Sequence, residues 1–223
     1  MPVAIEPRKQ RVYVFVDFWN FQLELNRIDG PRFDADFKAL GKVLSDAAID
    51  VVEKGAKADF AGLNLYISSD MNSQAEAGMR KWAGFVDTFA GVNVRMVPRK
   101  KEREGPKCPN EGCRQIVGRC PHCNGDMRGS KEKGVDVKIA TDMITLAWED
   151  TYDVGVLVSA DSDFVPLAEF LKTKGKKIIH GQFPPKGAEL SQKCWGRIDL
   201  TAIRSKFKFK RPDPAPGAAA STH

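Results

Sequence analysis

Apolar segments with two different periodicities alternate along most of the chain. RVYVFVD, residues 11–17, is β-branched, aromatic and almost continuously apolar, which is typical of a strand buried on both faces of a parallel sheet. Similar runs predict strands at residues 60–69, 92–97, 154–159 and 176–183. Apolar residues at helical spacing predict helices at residues 36–54, 72–90, 134–150 and 164–175, with a short helix around 188–195.

Strands that alternate with helices predict βαβ units and hence an α/β fold with a mainly parallel sheet between helical layers. Ligand sites of such sheets lie outside the carboxyl ends of the strands. Asp17 ends the first predicted strand, and Asp161 and Asp163 follow the strand at 154–159. A chain of 223 residues suits one domain of this class with an insertion.

Charge and hydropathy bear on the location of the protein and on the kind of partner that it binds. Neither a run of 18 apolar residues nor a signal peptide is visible, which predicts a soluble cytoplasmic protein without a membrane partner. Residues 95–133 carry eleven Lys/Arg and five Asp/Glu (+6) and residues 204–213 carry five and one (+4), so the rest of the +6 chain holds 6 − 10 = −4. Basic segments beside an acidic body suit a polyanionic partner, and two solvated charged faces are an equal alternative.

The aspartates at strand ends suggest a metal site. With Asp136, which begins the helix at 134–150, they make four carboxylates. Two carboxylates about 4 Å apart repel by about 4 kcal/mol at an effective dielectric near 20, so a cluster needs a proton or a cation. Oxygen donors without histidine favour Mg²⁺ or Mn²⁺. Helix capping is the alternative, with Asp163 or Ser162 as the cap, but one cap does not account for both aspartates of the pair.

Two further polar residues accompany these carboxylates. Asn20, three residues after Asp17, is placed to orient that carboxylate or a phosphate oxygen. Asp142 lies six residues after Asp136 and therefore on another helix face, where it supports the site, pairs with Lys138 or is solvated. Three aromatic residues of the first segment are expected in the core rather than as base-stacking platforms: Phe18, Trp19 and Phe21.

VFVDFWN, KGVDVKIATDMI and VSADSDFVPL resemble, in this order, the three motifs of the NYN domain family, the LabA-like relatives of PIN-domain nucleases. The resemblance covers residues 11–200 without the cysteine-bearing insert. It implies a PIN-like sandwich that cleaves RNA with Mg²⁺ or Mn²⁺ and leaves 5′-phosphate and 3′-hydroxyl ends. By matching position, the residues it assigns to the site are Asp17, Asn20, Asp136, Asp161 and Asp163, with Asp142 as a supporting acidic position.

Two positions depart from the family pattern. Phe18 and Ala160 stand where the family usually has glycine, and their side chains are expected to narrow the approach to the site.

CPNEGCRQIVGRCPHC, residues 108–123, predicts a zinc-binding insertion. Four thiolates at this spacing can surround one Zn²⁺, with His122 as a bystander or substitute ligand: Cys108, Cys113, Cys120 and Cys123. The surrounding cations are the predicted nucleic-acid contacts: Arg99, Lys100, Lys101, Arg103, Lys107, Arg114, Arg119 and Arg128. The alternative is an insertion that binds another protein or only stabilises the fold.

The C-terminal region is predicted to hold less structure. RSKFKFK, residues 204–210, alternates cations with phenylalanines, which favours an edge strand over a surface that stacks bases. Residues 211–223 are a low-complexity tail. Cys194 beside Trp195 is expected to be buried rather than nucleophilic.

The sequence thus predicts a discontinuous NYN/PIN-like domain at residues 1–104 and 132–203, a zinc-binding insertion at 105–131, and a basic segment with a flexible tail at 204–223. The predicted activity is metal-dependent hydrolysis of single-stranded or structured RNA. The sequence does not decide whether the protein forms a homodimer. The first alternative is a non-catalytic RNA-binding adaptor with a degenerate site, supported by Phe18 and Ala160. A phosphohydrolase with Asp17 as nucleophile ranks lower, because Trp19 stands where such enzymes need a second aspartate.

Overall fold

Six parallel strands form the central sheet of the computed structural model, which describes residues 9–30, 34–101, 104–128, 130–131 and 134–209. In chain order the strands are β1 (Gln10–Asp17), β2 (Ala58–Ser69), β3 (Val92–Pro98), β4 (Lys100–Lys101), β5 (Ser130–Lys131), β6 (Val154–Val158), β7 (Lys177–Gln182) and β8 (Gly196–Asp199). The sheet has the spatial order β3-β2-β1-β6-β7-β8, and all of its pairs are parallel. β4 and β5 form a separate antiparallel pair.

Helices cover both faces of the sheet. They are α1 (Phe18–Asp29), α2 (Phe37–Val52), α3 (Ala77–Val86), α4 (Val135–Trp148), α5 (Val165–Thr173), α6 (Ala188–Lys193) and α7 (Leu200–Ile203), with 3-10 helices at Ser162–Phe164 and Arg204–Phe207. One core lies on the side of α1, α2 and α3, and the other on the side of α4, α5 and α6. The predicted α/β sandwich is confirmed.

Strand β1 divides its side chains between these two cores. Val12, Val14 and Val16 belong to the core under α1–α3, whereas Tyr13 and Phe15 belong to the core under α4–α6. Both faces are therefore dry, which explains the nearly continuous apolar run. By the same alternation, Asp17 ends the strand on the α4–α6 side.

Several elements differ from prediction in presence or length. The sequence patterns do not predict strands β4, β5 and β8 or helices α1 and α7, and α3 is shorter than the predicted helix at 72–90. The predicted edge strand at 204–210 is wrong, because Arg204–Phe207 form a 3-10 helix. Phe207 is fully buried, with its ring 5.8 Å from that of Phe21. Lys208 retains a single antiparallel bridge to Ala35.

The insertion rises from the β4–β5 ribbon and has almost no buried side. Gly105 is the one buried residue in the described stretch 104–128, and Ile116 and Met127 are more than a third exposed. This segment thus lacks an apolar core of its own. Arg103, residues 132–133 and residues 210–223 lie outside the described residues.

None of the described helices is long and apolar enough to cross a membrane.

Replacing Phe207 should test the packing of the C-terminal segment. Phe207→Ala removes a fully buried ring and is expected to lower the free energy of unfolding by about 3–5 kcal/mol. Phe209→Ala is the matched control, because its ring is 48% exposed and its loss should cost about 1 kcal/mol or less. Urea unfolding measures both. Equal losses from the two variants would contradict the observed packing.

Candidate active site at the carboxyl edge of the sheet

Asp17 is held at the point where β1 becomes α1. It is 4% exposed and caps α1, accepting a hydrogen bond from the Asn20 backbone N–H at 3.3 Å. The Asn20 side-chain amide donates to the other carboxylate oxygen at 2.5 Å. A spacing of three residues brings this amide back over the cap within one helical turn. Asn20 therefore orients Asp17.

One hydroxyl connects Asp17 with the next strand. Ser159 directly follows β6, the neighbour of β1, and is 3% exposed. Its Oγ lies 3.5 Å from Asp17 Oδ2 and accepts a hydrogen bond from the Asp161 N–H at 3.3 Å. Ser159 thus links the Asp17 carboxylate to the Asp161 backbone at one edge of the sheet. Ser159 is absent from the predicted site residues, although VSADSD shows a serine directly after an apolar strand and just before an acidic pair.

Asp161, and not Asp163 or Ser162, is the helix cap after β6. Its carboxylate accepts the Asp163 N–H at 2.9 Å and begins the 3-10 helix Ser162–Phe164. The capping expectation for Asp163 and Ser162 is therefore wrong. Asp163 is exposed and its carboxylate is not used as a cap. Pro166 lies in the first turn of α5, as expected from its lack of an N–H.

Asp136 lies in the helical layer on the α4–α6 side of the sheet. It is exposed in the first turn of α4, and α4 packs against β1 and the 3-10 helix Ser162–Phe164. No three His, Cys, Asp or Glu side chains of the described residues are already arranged to hold a metal ion. The donor chemistry of the predicted site residues nonetheless fits a hard divalent cation, because all four offer carboxylate oxygens: Asp17, Asp136, Asp161 and Asp163.

Asp142 belongs to a different arrangement. Its carboxylate accepts hydrogen bonds from Lys138 Nζ at 2.8 Å and from the Tyr66 hydroxyl at 3.1 Å, and lies 3.8 Å from Arg95 Nε. Of the sequence-based alternatives, pairing with Lys138 is the one observed. Burial raises the pKa of Tyr66, which therefore stays protonated and donates. Because Tyr66 is the register partner of Asp17, this network braces the strand beside the site.

His180 forms a buried hydrogen bond with the backbone of Ser159. The imidazole is fully buried, with Nε2 2.7 Å from the Ser159 carbonyl oxygen and Nδ1 2.7 Å from Ser191 Oγ. Burial lowers the pKa of His180, which favours the neutral ring. Since a carbonyl oxygen only accepts, Nε2 carries the proton. The Ser191 hydroxyl beside Nδ1 donates to Gln182 Oε1 at 2.6 Å. The sequence offered no signal for this role.

Comparison with known proteins now identifies the chain. A family model described as NYN domain matches residues 11–200. The chain belongs to the NYN domain family. This is a family of nucleases that act on RNA, which supports a general nuclease role and RNA as the partner. A search of curated proteins found no match.

Two solved structures resemble this NYN domain to different degrees. A protein of unknown function from Vibrio parahaemolyticus superposes with a TM-score of 0.56 at 18% identity, covering 94% of this chain and 100% of that one. That likeness shows the fold alone. UGT73P12 from Glycyrrhiza uralensis, complexed with glycyrrhetinic acid 3-O-monoglucuronide, gives a TM-score of 0.25 at 11% identity over 79% of this chain and 28% of that one. At that score the similarity carries no conclusion.

The aromatic residues after Asp17 belong to the core side of the NYN domain. Phe18 is 6% exposed and Phe21 is fully buried, both in the core under α1–α3. Phe18 thus packs under α1–α3, whereas strand alternation places Asp17 on the α4–α6 side of the sheet. Trp19 is partly buried, and its indole N–H donates to the Ser68 carbonyl oxygen at 3.0 Å. A cavity of about 890 Å³ begins at Trp19 and continues along α3.

The remaining cysteine outside the insertion has no nucleophilic character. Cys194 packs against the core under α4–α6, and burial raises the pKa of its thiol to about 12.

The cysteines of the insertion lie in two similar turns. Backbone N–H groups of Cys108 and Cys120 donate to carbonyls seven and five residues further on, at 2.9 and 2.8 Å. The residues after Cys113 and Cys123 both have positive φ, 46° at Arg114 and 56° at Asn124. In the second turn, the N–H groups of Cys123 and His122 lower the pKa of Cys120. Amides directed at sulfur favour thiolates, the form that binds zinc.

Most of the described cations predicted to contact nucleic acid have acidic or carbonyl neighbours. Arg99 pairs with Glu76, Lys107 with Glu104 and Arg128 with Asp126, while Arg119 donates to the Asn124 carbonyl oxygen and Arg114 is exposed. The Lys107 and Arg128 pairs are solvent-exposed, so they are weak and leave both cations accessible to a polyanion. Lys100 and Lys101 form β4, and Arg103 lies outside the described residues.

The buried imidazole should make the NYN domain less stable at mildly acidic pH. Because the pKa of His180 is below 6.5 in the folded protein, the unfolded chain takes up the proton first as the pH falls. The contribution is complete above pH 6.5 and is lost as the pH drops from there toward the lower pKa of the folded state.

His180→Gln tests this assignment, because its amide can still donate to the Ser159 carbonyl but does not titrate. Urea unfolding of both proteins between about pH 7.5 and pH 5.5 should show a smaller pH dependence in the variant. Identical slopes would assign the effect to another group.

Proposed function

We propose that this NYN domain is a metal-dependent ribonuclease whose catalytic residues are Asp17, Asn20, Asp136, Asp161 and Asp163. The observation that carries the proposal is the Ser159 hydroxyl, which joins Asp17 to the Asp161 backbone at the carboxyl ends of adjacent strands. It brings Asp17 and Asp161, which lie 161 − 17 = 144 positions apart in sequence, to one place. In a family of nucleases, such a place is the expected site of phosphodiester hydrolysis.

The chain's own residues have distinct roles in this proposal. Asp17, Asp136, Asp161 and Asp163 would hold Mg²⁺ or Mn²⁺, and Asn20 and Ser159 fix the orientation of Asp17. When bound, such an ion lowers the pKa of water and stabilises charge on the phosphate oxygens. Carboxylates brought close together repel one another, and a bound cation would offset that repulsion.

The insertion is proposed to be a zinc-stabilised grip for RNA in a cytoplasmic protein. Cys108, Cys113, Cys120 and Cys123 would bind one Zn²⁺, and this binding would replace the missing apolar core of residues 104–128. Structural zinc sites of this kind are four-coordinate and need thiolates. The surrounding cations would neutralise RNA phosphates.

The adaptor alternative loses one of its two arguments. Phe18 lies in the core under α1–α3 and is 6% exposed, so its side chain does not narrow the approach to Asp17. Ala160 remains partly exposed between Ser159 and Asp161.

Asp17→Asn and Asp161→Asn should each lower the rate of RNA cleavage by at least about 100-fold. Asparagine caps a helix as well as aspartate does, so the fold should be retained and the loss reports the missing charge. Asp199→Asn is the matched control, because Asp199 caps α7 at the end of β8 through the Thr201 and Ala202 N–H groups. Cleavage of a single-stranded RNA with Mn²⁺ is measured. Activity that survives both site substitutions would refute the proposal.

Metal analysis should find about one Zn²⁺ per chain, because four thiolates make one tetrahedral site. Cys120→Ser should reduce zinc content to a small fraction and expose residues 104–128 to limited proteolysis. Cys194→Ala is the control, since this thiol lies in the main domain, and it should keep its zinc. Zinc that persists after both Cys120→Ser and Cys123→Ser would contradict the assignment.

A further inference from the structure

Ser68 has a buried hydroxyl group that lacks a partner. The residue is 1% exposed near the carboxyl end of β2, and no group among the described residues forms a hydrogen bond with its Oγ. Its backbone carbonyl is already used by the Trp19 indole. Leaving a buried polar group unpaired costs about 1–3 kcal/mol, so the position is unfavourable for stability alone.

Arg99 provides a second donor of this kind one strand away. It follows β3, and its backbone N–H donates to the Ser69 carbonyl at 2.7 Å. One end of the guanidinium pairs with Glu76, while Nε is buried and has no partner within the described part of the chain. The side chain is 21% exposed, so the group reaches the surface.

Glu76 fixes this arginine from the inside. Burial opposes ionisation of Glu76, but the Asp70 N–H, the Ser69 hydroxyl and Arg99 outweigh burial and lower its pKa. The carboxylate therefore stays charged and holds Arg99 at the strand end. The guanidinium is anchored without using its Nε donor.

Both donors flank the acidic centre on the side away from β6. The order β3-β2-β1-β6 puts Arg99 and Ser68 on one side of Asp17 and Ser159 and Asp161 on the other. Ser68 lies two residues beyond Tyr66, the register partner of Asp17, and alternation places it on the same face as Tyr66. Within the described part of the chain, the β1–β6 half of this edge thus carries the carboxylates of Asp17 and Asp161, and the β2–β3 half carries two buried donors without partners.

We propose that Ser68 and Arg99 form a subsite for a phosphate group, such as a phosphate of the RNA strand next to the acidic centre; as a substrate subsite it rests on the proposed function. Phosphate oxygens supply the acceptors that both donors lack, and arginine with a fixed guanidinium is suited to bind them. A serine turns about a single side-chain torsion, so its hydroxyl can follow an oxygen that enters beside Arg99.

The test separates a cost in stability from a gain in binding. Ser68→Ala removes the unpaired hydroxyl, so its Tm without ligand should rise by about 2–4 °C. Its affinity for inorganic phosphate, measured by calorimetry with and without Mg²⁺, should fall about tenfold in the condition where the wild type binds. Arg99→Lys keeps the charge but loses the fork, and it should weaken phosphate binding to a similar extent.

Ser45→Ala is the matched control. Ser45 is equally buried, but its hydroxyl donates to the Gly41 carbonyl at 2.8 Å within α2. This variant should neither gain stability nor change phosphate affinity.

Three outcomes would overturn the subsite: no phosphate binding by the wild type, a Ser68→Ala variant that binds phosphate as the wild type does, or one that loses stability, since the hydroxyl then has another partner. Phosphate binding requires no cleavage, so Asp161→Asn separates the two proposals. If Asp161→Asn still cleaves RNA, the nuclease assignment fails while the phosphate result stands on its own.

Discussion

Burial of β1 on both faces is the constraint on which the candidate site depends. Val12, Val14 and Val16 fill one core, and Tyr13 and Phe15 fill the other. An ionised carboxylate without partners in either layer would be strongly destabilising, and such a group is protonated instead. Charge is therefore admitted only where the chain leaves the sheet. In a parallel sheet the carboxyl ends of all strands lie at one edge. Asp17 and Asp161 follow two neighbouring strands and therefore lie at the same edge, although they are far apart in sequence.

The same constraint explains which parts of the molecule were readable from sequence. The apolar runs of β1, β2 and β6 and the amphipathic pattern of α2 are strong because each is decided by local burial. The alternating RSKFKFK was misread as an edge strand. Its two phenylalanines look equivalent in sequence, yet only Phe207 enters the core beside Phe21, and that depends on a distant helix.

The polar residues at the site likewise divide into those predictable from local sequence and those whose roles depend on distant contacts. Asp17 and Asn20 were predictable because their contact is local, within one turn of α1. Ser159, His180 and Ser68 were not, because their roles arise from strand order. Ser159 touches Asp17 only because β6 lies next to β1, and His180 reaches Ser159 only because β7 follows in space. The DSD pattern also leaves open which of its two aspartates caps the following helix, and the structure shows that it is Asp161.

The β4–β5 ribbon has a further consequence for the architecture. Lys100 and Lys131 are register partners, so the chain leaves the main domain and returns to it at neighbouring points. Closing that gap needs only a short connection, and loop-closure entropy grows slowly with length. The segment between them is therefore exchangeable: a tight turn, or a module of another size, could stand in its place while every strand of the central sheet kept its neighbours.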